Sequence, residues 1–153
     1  MTERVGFFTD TSICIGCKAC EVACKEWNGV PDDGFTFIGQ SYDNTGELGS
    51  DTWRHVAFIE QKRAGDEGFR WLMSSDVCKH CTSAACLEVC PTGSLVRTEF
   101  GTVVVQEDIC NGCGYCIPAC PYGVIDQRKG DGRAFKCTMC QDRLGADLAP
   151  ACA

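Results

Sequence analysis

The feature that most constrains this chain is its cysteine content, fifteen cysteines among 153 residues. The cysteines are concentrated in four short runs, which predicts an internally repeated architecture. The first run is Cys14, Cys17, Cys20 and Cys24; the second is Cys78, Cys81, Cys86 and Cys90; the third is Cys110, Cys113, Cys116 and Cys120; the fourth is Cys137, Cys140 and Cys152.

Disulfides and zinc are the alternative uses of so many thiols. The count is odd, and cysteines separated by two residues cannot all reach partners with acceptable disulfide geometry. Zinc is usually held by two separated CxxC pairs or with histidine, and neither His55 nor His80 has a second histidine at ligand spacing. Runs of three or four cysteines therefore favour iron–sulfur centres, and a zinc-binding interaction module without a redox role is the alternative from another class.

The third run, in "CNGCGYCIPACP" at 110–121, has the spacing of the bacterial ferredoxin motif, whose fourth cysteine serves a second cluster. Three cysteines on a tight loop can hold three corners of a cubane, and glycines let backbone N–H groups approach its sulfurs. The first run has the same spacing but Lys25 in place of the proline. The second run has four residues between Cys81 and Cys86 and ends at Pro91.

If each fourth cysteine crosses to a neighbouring cluster, the runs must pair. The second and third runs are neighbours and would form an inner unit, which leaves the first and fourth runs for an outer one. The predicted ligand sets are Cys78, Cys81, Cys86 and Cys120; Cys90, Cys110, Cys113 and Cys116; Cys24, Cys137, Cys140 and Cys152; and Cys14, Cys17 and Cys20.

These sets predict four 4Fe–4S clusters, one of which lacks its fourth ligand in this chain. Symmetry places that ligand four residues after Cys152, whereas the sequence ends at Ala153. We expect a longer natural sequence to supply the missing cysteine; a 3Fe–4S centre on Cys14, Cys17 and Cys20 is the alternative.

The remaining sequence predicts an α+β, loop-rich fold with two bacterial-ferredoxin-like units, one inserted in the other, and a β-hairpin insertion. Alternating and β-branched residues predict the strands, and Gly-rich segments predict the turns. Strands are expected at 5–10, 54–61, 68–75 and 102–106, a turn at 63–68, a long loop at 28–52 and short helices at 21–23 and 117–119. The predicted units are residues 1–27 with 131–153, residues 28–75 and residues 76–130.

Charge and hydropathy exclude several functions. A net charge of −7 and a pI near 4.7 argue against a nucleic-acid partner. The sequence contains no apolar run of about 18 residues, the length that would predict a transmembrane segment. The start "MTERVGFFTD" has no hydrophobic region typical of a signal peptide. No nucleophile–base set or phosphate loop stands out, so we expect a non-catalytic electron-transfer protein whose cofactor supplies the chemistry.

Four segments carry a resemblance to a known family. They are "CIGCKACEVACKEWN" at 14–28, "YDN" at 42–44, "CNGCGYCIPACP" at 110–121 and "KCTMCQDRLGADLAPAC" at 136–152. In these segments the chain resembles the iron–sulfur (β) subunits of molybdopterin oxidoreductase complexes, most closely the formate dehydrogenase β subunits. The resemblance covers nearly the whole chain.

The resemblance implies an electron-transfer subunit with four 4Fe–4S clusters and the ligand pairing given above. It would work between a catalytic subunit with a molybdenum or tungsten pterin cofactor and an acceptor such as a membrane cytochrome b. Nitrate, dimethyl sulfoxide, thiosulfate or polysulfide reductase, or a hydrogenase, are alternative enzymes. The chain would be membrane-associated through its partners, on a side that the sequence leaves open. Family members continue past this point with a sixteenth cysteine and often a membrane anchor.

Two smaller expectations concern residues beside the cysteines. Lys18, Lys25, Lys79, Arg133 and Lys136 could offset cluster charge, or could be ordinary solvated cations. Because a loop-rich chain has a modest apolar core, folding and cluster insertion should be coupled.

Overall fold

The computed structural model describes residues 3–34, 39, 45–62, 64–65 and 68–153, in which helices and strands are short. The helices are α1 (Ala19–Asn28), α2 (Ala85–Glu88), α3 (Cys116–Ala119) and α4 (Gln141–Leu144), with a 3-10 turn at Glu107–Ile109. The strands are β1 (Arg54–Lys62), β2 (Phe69–Val77), β3 (Leu95–Arg97), β4 (Val103–Val105), β5 (Asp126–Gln127) and β6 (Ala134–Phe135). The small α+β class with few helices is thereby confirmed. Within the described ranges, no helix is long and apolar enough to cross a bilayer.

The predicted β-hairpin is present as the antiparallel pair β1–β2. The register runs from Arg54 opposite Val77 to Lys62 opposite Phe69. The end of the hairpin formed by Arg54 and Val77 is buried, and the opposite end is exposed. Three of the six residues of the predicted turn at 63–68 lie outside the described residues, as do "YDN" at 42–44 and parts of the predicted loop at 28–52.

The other strands form two small antiparallel pairs, β3–β4 and β5–β6. The strand predicted at 102–106 is confirmed as β4, and two strands lead directly into cysteine runs. β2 ends one residue before Cys78, and β6 ends two residues before Cys137. Short paired strands thus fix where these runs begin.

The prediction of a strand at 5–10 is wrong. Residues 5–10 form no strand, and the backbone bond from this segment is Val5 N–H to Phe100 O at 3.2 Å. A β-branched and aromatic pattern becomes a strand only when a neighbouring strand pairs with it. Phe8 is 92% exposed, so the segment also lacks the buried face that would fix a register.

The helix predicted at 21–23 is longer than expected. Helix α1 runs for ten residues and ends at Gly29, whose left-handed backbone (φ 58°) lets its N–H bond to Lys25 O. Only Glu21 and Cys24 on this helix are buried. The short helix predicted at 117–119 is confirmed as α3.

Two buried cores lie beneath these elements, and both contain thiols. The first comprises Cys24, Val30, Trp53, Val77, Cys78, Val124, Phe135 and Cys137. The second comprises Ala84, Leu95, Val103, Cys116, Ile125 and Ala134. Ala134 and Phe135 belong to different cores because successive strand residues face opposite sides. The strand β6 therefore separates the two thiol-bearing cores.

Candidate iron–sulfur sites

Four thiols from the second and third runs line one cavity of about 260 Å³. Cys78 and Cys81 come from the loop after β2, Cys86 from α2, and Cys120 from the residue that follows α3. These four residues are one of the predicted ligand sets. The structure brings them together, and their binding of iron stays a prediction.

Two buried nitrogen donors border this cavity. Lys136 Nζ lies 3.5 Å from Cys78 Sγ. His80 accepts the Val103 N–H at Nδ1 (3.0 Å). Burial, followed by the charge of Lys136, lowers the His80 pKa to about 3. The ring is therefore neutral at pH 7 and carries its proton on Nε2, a buried atom with no hydrogen-bond partner.

These donors test whether a cluster fits. A buried N–H without an acceptor costs about 1–3 kcal/mol, and here it belongs to the lining of a cavity bordered by four thiols. A group that carries sulfur at several corners would supply the acceptor that His80 lacks. The donor set and the cavity are thus compatible with a 4Fe–4S cluster.

A second predicted set, Cys90, Cys110, Cys113 and Cys116, also lines one cavity, of about 10 Å³. Cys113 is exposed, Cys116 is buried, and the other two thiols of this set are partly buried. Ala134 N–H donates to Cys110 Sγ at 3.5 Å. Burial raises the Cys116 pKa to about 11. Burial also opposes ionisation of Cys90, but hydrogen bonds with Ser94 and the neighbouring backbone outweigh it and lower the Cys90 pKa to about 6.

Gly112 determines the path of the loop that carries Cys110 and Cys113. Its φ is +71°, and a Cβ there would lie 2.5 Å from Gly132 O. Gln127 Nε2 donates to both Gly112 O and Gly132 O. The loop therefore rests directly on the 128–133 turn, and only glycine permits this approach.

The third predicted set joins α1 to the fourth run. Asn28 Nδ2, at the end of α1, lies 3.5 Å from Cys140 Sγ and 3.9 Å from Cys24 Sγ. Cys24 and Cys137 share the first core, and Cys152 packs against it. Burial, with the nearby Cys152 and Cys140 thiols, raises the Cys24 pKa to about 12. Burial likewise raises the pKa of Cys137.

Arg54 gives a second test of fit, at this third set. The residue is 7% exposed, and its Nε and Nη1 are buried without a hydrogen-bond partner. Its guanidinium stacks on Phe7 at 5.1 Å and is close enough to Cys24 and Cys152 to oppose the rise of their pKa values. A buried, unpaired guanidinium requires a nearby anion, and a thiolate-ligated cluster would provide one.

The fourth predicted set, Cys14, Cys17 and Cys20, is the least enclosed. Cys17 is exposed, and Cys14 and Cys20 are partly buried. The loop packs on the hairpin, since a Cβ on Gly16 would come within 2.9 Å of Phe58 and Met73. Cys20 lies near Cys24 and Cys152, whose pKa values its charge raises. The three thiols remain a predicted set without a fourth cysteine.

In the part of the chain that the structure describes, no three His, Cys, Asp or Glu side chains are grouped to hold a single ion. In two of the predicted sets, the four thiols line a common cavity.

Comparisons with known proteins decide the family. A family model described as "4Fe-4S dicluster domain" matches residues 69–153, and a second model with the same description matches residues 13–94. The chain belongs to the 4Fe-4S dicluster domain family. The two matches indicate that this dicluster protein binds 4Fe–4S clusters.

Several curated proteins are similar to this dicluster protein. The iron–sulfur subunit of nitrate-inducible formate dehydrogenase from Escherichia coli K12 is 42% identical over 150 residues, which are 97% of this chain and 50% of that protein. The formate dehydrogenase-O iron–sulfur subunit of the same organism is 40% identical over 98% of this chain and 49% of its own length. The B subunit of anaerobic dimethyl sulfoxide reductase, also from that organism, is 37% identical over 99% and 69% respectively. The chain spans about half the length of the formate dehydrogenase relatives.

The sequence missed two residues that lie beside thiols, Arg54 and Asn28, because the fold brings separate elements together. His80 was a candidate from the sequence, since its place within the second run allows a hydrogen bond near a cluster, with a packing role as the alternative. Asn28 lies within the "KEWN" segment, which gave a weak indication. Nothing around Arg54 in the sequence distinguishes it from an ordinary first residue of a strand.

Proposed function

We propose that this protein is the electron-transfer subunit of a formate dehydrogenase-type complex and holds up to four 4Fe–4S clusters. The observation that carries the proposal is the convergence of thiols from separate runs on common cavities. It is supported by the two dicluster matches and by the similarity to two formate dehydrogenase iron–sulfur subunits. The proposed ligands are the fifteen cysteines in the four predicted sets.

In this proposal the side chains and backbone of the protein hold the clusters and set their surroundings. Thiolates would hold iron, and backbone N–H groups donate toward them, as Met139 N–H does to Cys137 Sγ at 3.2 Å. Such hydrogen bonds and burial tune the potential of a cluster. When bound, 4Fe–4S clusters accept and release single electrons, which is the chemistry that a dehydrogenase requires from such a subunit.

The four sets follow one another through the molecule. Cys20 of the Cys14 set lies near Cys24 of the set that also contains Cys137. Cys137 lies near Cys78 of the next set, and Cys86 of that set lies near Cys116 of the Cys90 set. Each neighbouring pair is close enough for charges on the two thiols to interact. This succession supports a linear chain of redox sites, in nested outer and inner units.

The proposed partners follow from the resemblance to formate dehydrogenase β subunits. A molybdenum- or tungsten-pterin catalytic subunit would deliver electrons, and a cytochrome b or other acceptor at a membrane would receive them. Dimethyl sulfoxide reductase is the second candidate complex, because the B subunit of that enzyme is covered over a larger share, 69% of its length. In that complex the electrons would flow toward the catalytic subunit.

The test is purification of the native complex without oxygen, followed by identification of its subunits and by addition of substrate. The proposal predicts a pterin-containing partner and bleaching of the iron–sulfur absorbance near 400 nm on addition of formate. If formate does not bleach the absorbance, but another electron donor does and dimethyl sulfoxide then reoxidises the clusters, the protein belongs to the second candidate complex. A purified protein that bleaches with dithionite but has no pterin-containing partner would contradict both.

A further inference from the structure

Lys136 is a buried cation that lies between two of the thiol sets. The residue is 2% exposed and immediately precedes Cys137. Its Nζ lies 3.5 Å from Cys78 Sγ, donates to Cys137 O at 3.0 Å, and also donates to Val103 O. One ammonium group therefore contacts residues of both the Cys137 set and the Cys78 set.

No acidic partner compensates this charge within the described residues. The hydrogen-bond partners of Lys136 are two backbone carbonyls and one thiol. Lys25, in contrast, forms an ion pair with Asp33 at 2.8 Å near the surface. A buried ammonium is costly unless an anion lies close to it. The groups that can supply negative charge beside Lys136 are the thiols of the two sets.

Other cations reinforce this environment around the second run. Arg4 Nη2 donates to His80 O at 2.9 Å, and Arg97 Nη2 donates to Cys81 O at 2.9 Å. The chain as a whole carries a net charge of −7. Cationic groups are thus directed at the second run in an acidic protein, and among these three Lys136 is the buried one.

A fixed positive charge acts on redox groups beside it in a defined direction. Reduction by one electron adds one negative charge, and a nearby cation stabilises the reduced state relative to the oxidised state. The effect is larger in the interior, where the effective dielectric constant is lower than in water. Because Lys136 contacts both sets, it acts on both sites.

We propose that Lys136 is the internal counter-charge that raises the reduction potentials of the Cys78 and Cys137 sites. This inference rests on the proposed function, since it assumes clusters at both sites. Lys136 is a positioning residue and not an iron ligand. It shifts the middle of the proposed chain of sites toward the reduced state.

The test compares Lys136→Met, Lys136→Arg and Lys79→Met in the full, cluster-loaded chain. Methionine keeps an unbranched side chain and removes the charge, whereas arginine keeps the charge. Lys79 is the matched control because it follows Cys78 directly, but its side chain is 42% exposed and pairs with Asp76. Potentials are measured by redox titration monitored by electron paramagnetic resonance.

Lys136→Met should lower the reduced-to-oxidised ratio of two signals about tenfold at a fixed potential, equivalent to about 59 mV for one electron. Lys136→Arg and Lys79→Met should change this ratio less than about threefold. Unchanged potentials in a fully loaded Lys136→Met protein would overturn the inference. If Lys136→Met cannot load these two sites, loading by Lys136→Arg supports the counter-charge, and failure of both variants overturns it.

The iron and sulfide content of the unmodified protein separates this inference from the proposed function. Absence of clusters in the wild type defeats the proposed function itself. If clusters are present but their potentials do not change when Lys136 is substituted, only the counter-charge inference is contradicted.

Discussion

The buried thiols ionise with difficulty in the free protein. Burial raises the pKa of Cys24 to about 12 and that of Cys116 to about 11. Iron binds thiolates, so binding must overcome this cost, and Arg54 and Lys136 place positive charge where thiolates would form. At the scale of single residues, buried cations would stabilise thiolates that an apolar core alone would disfavour.

Arg54 provides a direct test of this arrangement. Arg54→Met removes the guanidinium beside Cys24 and Cys152, so cluster occupancy at that set should fall, as measured by iron content and by loss of one paramagnetic signal. Arg54→Lys should retain more iron because it keeps the charge. Arg70→Met, an exposed arginine on β2, is the control. Equal iron in all variants would show that the unpaired guanidinium does not serve a cluster.

Gly112 tests the loop of the third run. Gly112→Ala should destabilise the loaded protein by more than the roughly 1–2 kcal/mol that left-handed backbone costs an alanine, because its Cβ would also meet Gly132 O at 2.5 Å. Gly123→Ala is matched, with φ +62° and open space around the new Cβ. Iron release to a chelator should accelerate more in Gly112→Ala. Equal rates in the two variants would contradict the close approach.

Residues of the site divide into those the sequence predicts and those it does not. The convergence of Cys78, Cys81, Cys86 and Cys120 on one cavity could be predicted, because ligand spacing is local and the crossover of the fourth cysteine is a rule of the motif. The iron-binding role of all four sets stays a prediction. Arg54 could not be predicted, because its unpaired nitrogens arise from burial by segments distant in the chain. The place of His80 within the second run already indicated a position near a cluster, but only the fold shows that its Nε2 is buried without a partner. Lys136 could be named as a neighbour of Cys137, but only the fold shows that it also reaches Cys78.

At the scale of elements, the hairpin and α1 together support the first run. Gly16 packs on Phe58 and Met73 of the hairpin, while α1 carries Cys20 and Cys24. The hairpin was predictable because alternating strands flank a turn-forming segment. The strand at 5–10 was not correctly predicted, since its pattern resembles a strand but the fold provides no pairing edge. The length of α1 was also missed, because Gly29 ends it five residues beyond the cysteine run.

Phe58 tests this support. Phe58→Ala should destabilise the protein by about 2 kcal/mol, less than a fully buried phenylalanine would, and should release iron first from the first run. The adjacent Ile59 is 40% exposed, and Ile59→Ala should change stability by no more than about 0.5 kcal/mol. Denaturation of the loaded variants gives the comparison. If Ile59→Ala destabilises the protein as much as Phe58→Ala, the contact between Phe58 and the loop of the first run has no specific supporting role.

At the scale of the whole molecule, the two cores contain thiols in place of some apolar side chains, so cluster binding and folding should be one process. Removal of iron by an anoxic chelator should therefore abolish the near-ultraviolet circular dichroism and most protection from proteolysis. Reconstitution with iron and sulfide should restore both. An iron-free protein that keeps its dichroism and its protease resistance would separate the fold from the clusters.

The nested arrangement of the two units stays a prediction at this scale. The family models match residues 13–94 and 69–153, which overlap and do not divide the chain at the predicted boundaries. The fold class could be predicted from the cysteine spacing, because motifs of this kind fix short loops and short elements. The unit boundaries depend on which clusters pair, and that is a property of bound metal.

The measurement that tests the central claim most directly is the iron, acid-labile sulfide and zinc content of protein purified without oxygen. If the thiol sets hold 4Fe–4S clusters, the protein should be brown and contain iron and sulfide in equal amounts, about 16 of each per chain at full occupancy and about 12 if the first-run site stays empty. A colourless protein with zinc or disulfides on these cysteines, and no labile sulfide, would contradict the account.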